Sequence, residues 1–243
     1  MKATVIAEGR GTKWICFGRD DDMPEKIIET NHFLVLTPSD AVLLEPGGTE
    51  SFPALLSAVL QYCPVERINH VFVSHQDPDV CSSISLWNDT LPHAKMYAPW
   101  LWEGFLRHFG CDRMEFVPIP DEGLTLALDQ CDLRFVPAHY LHSPGNFNVY
   151  DARLKVLMSG DLGAALEPRG SPLYVDDFAL HEPRMRLFHQ RWLPSRRAKD
   201  DWVRRVRQLD VDLMAPQHGR IFRGPDVTRF LDWLEALEVG IGV

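Results

Sequence analysis

No stretch of this 243-residue chain approaches the roughly 18 consecutive apolar residues of a membrane span. The N-terminal segment MKATVIAEGRGTKWICFGRD also lacks the apolar core of a secretory leader, so the sequence predicts a cytoplasmic protein with no membrane partner. Cysteine is sparse and unpatterned. Cys16, Cys63, Cys81, Cys111 and Cys131 show no C-x-x-C spacing, and five cannot pair completely within one chain. They read as buried, reduced thiols rather than a disulfide framework. Positive charge is in deficit, with 25 Lys and Arg against 34 Asp and Glu for a net −9, which repels a polyanion and argues against nucleic acid as a partner. One run opposes that balance: Arg196, Arg197, Lys199, Arg204, Arg205 and Arg207. A solvated helix face is its ordinary reading and a docking surface the alternative. Linkers rich in Pro, Gly or Ser, repeats and low-complexity tracts are missing, which predicts one domain over residues 1–243.

What is present is a globular composition, 45% hydrophobic and 24% charged. Apolar β-type runs come first, at Thr4 to Ala7, Trp14 to Phe17, Phe33 to Leu36 and Ala41 to Leu44. Helical periodicity over Phe52 to Tyr62 precedes a buried-strand pattern at His70 to Val73. Strands are then expected at Ala94 to Ala98, Met114 to Val117, Leu124 to Leu126 and Leu133 to Val136, with a helix over Trp100 to Phe109. A hairpin is expected from Asn146 to Met158, and helices over Phe178 to Trp192, Lys199 to Leu209 and Val227 to Leu237, with a short strand from Val211 to Met214. This order predicts an α/β sandwich whose two halves share one core.

The chemistry gathers at strand ends. Ser74-His75-Gln76-Asp77-Pro78-Asp79 follows a buried strand, and in an extended loop His75, Asp77 and Asp79 would point the same way. A lone H-x-D-x-D is common in surface turns. Three further strand ends carry Leu141-His142-Ser143-Pro144, Ser159-Gly160-Asp161 and Ala215-Pro216-Gln217-His218-Gly219. Four such groups are hard to bury without compensation, and a shared metal supplies it.

H-x-D-x-D, then a His, then G-D, then P-x-H-G resembles the metallo-β-lactamase superfamily, and Glu45-Pro46-Gly47-Gly48 is similar to its D-P-G turn. The likeness covers nearly the whole chain and implies an αββα four-layer sandwich. Zinc hydrolases of this superfamily usually carry a second His where this chain has Asp77, whereas the diiron branch carries a carboxylate. HQDPDVCSS and LHSPGNF look like the oxygen-binding diiron proteins, relatives of the flavodiiron reductases. The resemblance implies two iron ions, with zinc or a mixed pair as alternatives. His75, Asp77, His142 and Asp161 would hold the first; Asp79, His218 and a bridging Asp161 would hold the second. Val80 stands where flavodiiron proteins have another His, so the second ion keeps an open position or borrows His139 or His32.

Carboxylate and imidazole donors suit iron, and a bridging carboxylate lets two ions share a small ligand. Dioxygen is the expected ligand. With no flavin expected in this chain, an oxygen binder or sensor, or a reductase component served by a separate electron donor, is favoured. A dinuclear metallohydrolase of phosphoesters, thioesters or lactones is the alternative. Tyr174 is the expected hydrogen-bond donor to the bound ligand, and Phe147, Tyr150, Trp87 and Trp100 are possible pocket walls. A signalling or electron-donor protein and a homodimer are the partners considered.

Overall fold

A computed structural model describes residues 1–18 and 27–242. Strands β1 (Lys2–Gly9), β2 (Thr12–Gly18), β3 (His32–Leu36) and β4 (Ala41–Leu44) pair in antiparallel succession, and helix α1 (Phe52–Val59) follows. β5 (Ile68–Phe72) adds parallel to β4. Two short helices, α2 (Pro78–Cys81) and α3 (Ile84–Thr90), lead to β6 (Lys95–Pro99), α4 (Glu103–Leu106) and β7 (Glu115–Ile119), completing a seven-stranded sheet in chain order. A six-stranded sheet, ordered β13-β12-β11-β10-β9-β8, is built from β8 (Leu124–Ala127), β9 (Asp132–Pro137), β10 (Phe147–Asp151), β11 (Val156–Gly160), β12 (Leu213–Pro216) and β13 (Phe222–Arg223). Helices α5 (Phe178–Trp192) and α6 (Arg196–Val206) lie between β11 and β12 in sequence, and α7 (Pro225–Ala236) follows β13.

Strand alternation explains the layering. Ile15, Phe17 and Leu34 pack with Leu55, Val59, Ile84 and Trp87 of α1 and α3. Their neighbours Trp14, Cys16, Phe33 and Val35 face the other way, onto Leu133, Phe135, Val149 and Met158 of the second sheet. The far side of that sheet, with Val136, Tyr150, Leu157 and Met214, packs on Trp202 and Val203 of α6 and Phe230 and Leu231 of α7. Both faces of each sheet are therefore buried, which is why the central strands read as unbroken apolar runs. The result is the αββα sandwich that the sequence implied.

Local differences have local causes. The helix expected over Trp100 to Phe109 is divided into α4 and two flanking 3₁₀ turns, after Pro99 and before the left-handed Gly110. Helix α6 begins at Arg196 rather than Lys199 because the Ser195 hydroxyl accepts from the Ala198 N–H and caps it. Helices α2 and α3 were not expected, since four and seven residues are too few to show periodicity.

Candidate metal centre

Both sheets contribute to one cleft. His75 follows β5 of the first sheet, and Asp77 and Asp79 begin α2. His142 lies beyond β9, Asp161 directly after β11 and His218 just beyond β12, all in the second sheet. The extended loop expected for His75 to Asp79 ends early. Asp77 has extended backbone, φ −66° and ψ 147°, but Pro78 starts a helical turn that includes Asp79. That turn separates the two carboxylates, Asp77 toward one donor set and Asp79 toward another.

In the first set, Oδ2 of Asp161 lies 2.9 Å from His142 Nε2 and 3.2 Å from His75 Nε2. Oδ2 of Asp77 lies 3.2 Å from His142 Nε2 and 3.6 Å from His75 Nε2. One donor atom from each of these four residues fits within 4.8 Å of the others, a grouping able to hold a cation. In the second set, His218 Nε2 is 3.1 Å from Asp79 Oδ2 and 3.4 Å from Asp161 Oδ1. Asp161 thus turns one oxygen to each set, the arrangement of a bridging carboxylate. Its Oδ1 is buried and has only the long contact with His218 as a partner, leaving lone-pair capacity that a cation would satisfy. Three imidazole nitrogens and three carboxylates form a donor set that suits divalent iron or zinc.

The electrostatics of the metal-free site say the same. Burial by itself would depress His142, yet hydrogen bonds with Asp161 and Asp77 raise it to about 9. Burial likewise opposes charge on His218, and Asp161 and Asp79 lift it to about 10. Burial would raise the Asp161 carboxyl, but His75, His142 and His218 hold it well below the usual range. Protons on these histidines occupy the place of a cation.

Surrounding groups fix the rings. The Glu45 carboxyl group, which burial pushes up to about 8, accepts from the Ser74 N–H and hydroxyl, both at 3.0 Å, and Ser74 Oγ is 2.8 Å from His75 Nδ1. If the ring N–H sits on Nδ1 and donates to Ser74, the His75 Nε2 lone pair faces the site. Glu45 is fully buried in a left-handed conformation, φ 59°. Nearby Gly47, at φ 91°, leaves room for His32, because a Cβ there would stand 2.5 Å from the ring. His218 Nδ1 is 2.9 Å from the Glu29 carbonyl, and the Asn31 amide donates to the carbonyls of Pro216 and Gly219 at 3.0 Å each.

Val80 is fully buried in the core under α1 and α3, so its position supplies no donor. Of the two substitutes considered, His32 is electrostatically coupled to Asp79 and His218, and burial lowers its pKa to about 4. Its Nδ1 donates to the Glu45 carbonyl at 2.9 Å, leaving Nε2 to the Thr30 hydroxyl at 3.0 Å. His139 instead donates through Nε2 to the Asp121 carbonyl at 2.8 Å and rests against Phe147.

The aromatic residues beside the donors are ones that sequence reasoning missed. Trp192 stands 5.0 Å from the His142 ring and Phe188 6.2 Å, stacked on each other at the end of α5. Their spacing, i and i+4 near a helix end, was the available signal, but nothing in sequence tied α5 to His142. The described contacts of the expected walls lie elsewhere: Trp87 donates to the Pro46 carbonyl, Trp100 to Asp121 and Tyr150 to the Asp210 carbonyl. Tyr174 bridges to Ile221 and its ring lies 4.4 Å beneath the Arg223 guanidinium. Gln217, also unforeseen, donates to Asp79 Oδ2 at 3.3 Å.

Comparison with known proteins agrees with this geometry. The family model described as ODP family beta lactamase matches residues 28–219. The chain is similar to a structure of the chemotaxis sensor ODP in a peroxy diiron species, at 35% identity and TM-score 0.88, covering 99% of this chain and 97% of that one. It is likewise similar to the apo state of that sensor from T. denticola, at 36% identity and TM-score 0.88, covering 98% and 96%. A flavo di-iron protein of Thermotoga maritima shares the fold at 19% identity and TM-score 0.81, over 96% of this chain and 60% of its own. Among curated proteins, an uncharacterized protein of Methanocaldococcus jannaschii is 21% identical over 194 residues, and the chain spans 46% of its length.

Proposed function

Because the chain belongs to the ODP family of β-lactamase-fold proteins, we propose that it is a non-haem diiron protein that binds dioxygen and acts as an oxygen sensor. The observation that carries this reading is the division of Asp161, one oxygen to each donor set. His75, Asp77, His142 and Asp161 would hold the first iron, and Asp79, His218 and the second oxygen of Asp161 the other. Ferrous ions held there would supply the electrons that dioxygen binding requires. The protein's own work is to hold and shield. Asp161 fixes the spacing of the two sets, Glu45 and Ser74 orient His75, and Phe188 and Trp192 cover the His142 side against water. Burial of Val80 leaves the second set one donor poorer than the flavodiiron pattern, which favours an open position for a small ligand. A sensor also needs a partner to read its state.

Anaerobic reconstitution with ferrous iron, metal counting and a visible spectrum before and after admission of oxygen test the proposal. Two irons per chain and a new visible band that depends on oxygen are expected. A protein purified with two zinc ions, colourless with iron under oxygen and active on a phosphodiester would be a hydrolase instead.

A further inference from the structure

The basic run at Arg196 to Arg207 is mostly accounted for within the fold. Lys199 is buried, and its Nζ donates to the carbonyls of Leu234, Glu235 and Leu237 at 2.8, 2.7 and 3.1 Å, closing the end of α7. Arg196 pairs with Asp200, Arg204 with Asp201, and Arg207 with Asp232 and Glu235. Two cations are left over. Arg197 and Arg205 are exposed and have no carboxylate partner among the described residues. They lie eight residues apart on α6, two steps of four, and so share a face.

That face looks onto a groove. Arg205 and Arg134 line a cavity of 510 Å³ between α6 and strands β8 and β9. Arg205 and Arg197 line an adjoining cavity of 330 Å³ between α6 and residues 137–140. The cavities share Pro137 and Arg205, so they form one groove. Arg134 too lacks a carboxylate partner among the described residues, its guanidinium resting 5.5 Å from the Tyr150 ring. The acids lining the groove are Glu122 and Asp201, the latter engaged by Arg204. On a chain of net charge −9, three uncompensated guanidiniums in one groove invert the local sign. Leu124, Pro137, Leu209 and Trp202 supply apolar wall, and β8 is the edge strand of its sheet.

We propose that this groove is the docking site for an acidic, extended segment of a partner protein, with its carboxylates on Arg134, Arg197 and Arg205 and its apolar side chains against the wall. Arginine forks are the usual readers of such motifs, and an extended chain, unlike a small acid, spans both cavities. The groove floor, Pro137 to Tyr140, runs directly into Leu141 and His142, so an occupant rests on the segment that carries a donor of the metal centre. Use of the groove as the sensor's output rests on the function proposed above; the docking itself does not.

The test is fluorescence anisotropy with a labelled peptide of alternating Glu and Leu, on metal-free and on iron-loaded protein. The peptide is expected to bind, more weakly as salt is raised. The double variant Arg134→Glu, Arg205→Glu should lose at least about tenfold in affinity. Arg229→Glu, on α7 away from the groove, should bind as the parent does, and matching thermal melts would show that all three fold alike. Four results would overturn the proposal: no binding of the peptide, equal binding by the double variant, equal binding of a Lys and Leu peptide, or tighter binding of oligothymidylate or phosphatidylserine vesicles through the same arginines. A failure of oxygen binding with the arginine effect intact would remove the sensor reading and leave the docking site.

Discussion

The indole of Trp192 meets the imidazole of His142 edge to face, with ring centroids 5.0 Å apart and planes at 63°. Trp192 is 51% exposed, so it stands between the centre and solvent instead of filling the core. Removing it should open the site more than it loosens the fold. For Trp192→Ala we expect a chelator to strip metal about tenfold faster, and Trp192→Phe to restore most of the protection. Stopped-flow competition with a chromophoric chelator gives the rate, and a rate equal to the parent's would mean that the ring shields nothing.

Glu45 acts on the metal centre through Ser74. Burial pushes Glu45 up to about 8, so above that pH replacing it by Gln keeps the shape but puts an amide donor where one carboxylate oxygen accepts from Ser74. The serine hydroxyl must then turn toward His75 Nδ1, which drives the ring proton to Nε2 and blocks that nitrogen. Affinity for the first metal should fall about 10- to 100-fold, as read by metal titration, and the His75 tautomer should change in nitrogen NMR. Unchanged affinity would rule out the chain Glu45 to Ser74 to His75 as a positioning device.

Metal binding should depend on pH with a definite sign. In the metal-free protein, His142 and His218 titrate at about 9 and about 10, so both carry protons at neutral pH that a cation must displace. Apparent affinity therefore rises as pH approaches that range, and binding releases protons, measurable by calorimetry in buffers of different ionisation enthalpy. Stability of the metal-free fold runs the other way. The folded pKa values exceed the ordinary 6.5, so the imidazolium contribution is complete below about 6.5 and is lost as pH rises through about 9 to 10.

Asp161→Asn tests the bridge. The variant keeps the volume but loses a charge that faces three imidazoles, and we expect it to retain neither ion at stoichiometric metal. Retention of two ions per chain by elemental analysis would show that Asp161 joins nothing.

Lys199 is a stability residue in spite of its charge. Lys199→Met keeps the buried stem and removes three hydrogen bonds to the carbonyls of Leu234, Glu235 and Leu237, which should cost about 3 kcal/mol in chemical denaturation. A change below about 0.5 kcal/mol would mean that water replaces the ammonium without penalty.

The fold and the donors differ in how far sequence reveals them. Strands buried on both faces announce themselves as apolar runs, and β4 was bounded correctly at Ala41 and Leu44. The positions of Asp161 and His218 just past such strands were likewise readable, because a strand end fixes where the chain emerges, whereas His142 stands in the loop that follows the half-exposed β9. Side-chain direction was not. The helical turn that parts Asp79 from Asp77 depends on four residues, and the approach of Trp192 to His142 depends on how α5 packs across the sheet. The basic run was legible as a helix face, but which of its charges are paired was not, since pairs such as Arg207 with Asp232 are formed in space and leave no trace in local sequence.

The two sheets meet at the metal centre, one bringing His75, Asp77 and Asp79 and the other His142, Asp161 and His218. Bound ions would therefore cross-link positions as far apart as residues 75 and 218, closing loops that the five free thiols do not close. The loss of unfolded-state entropy from such a tie is that of a reversible staple, fastened by a cation and loosened whenever a ligand alters its grip. A small molecule arriving at this cleft would then be felt as a change in how firmly one half of the sandwich is tethered to the other.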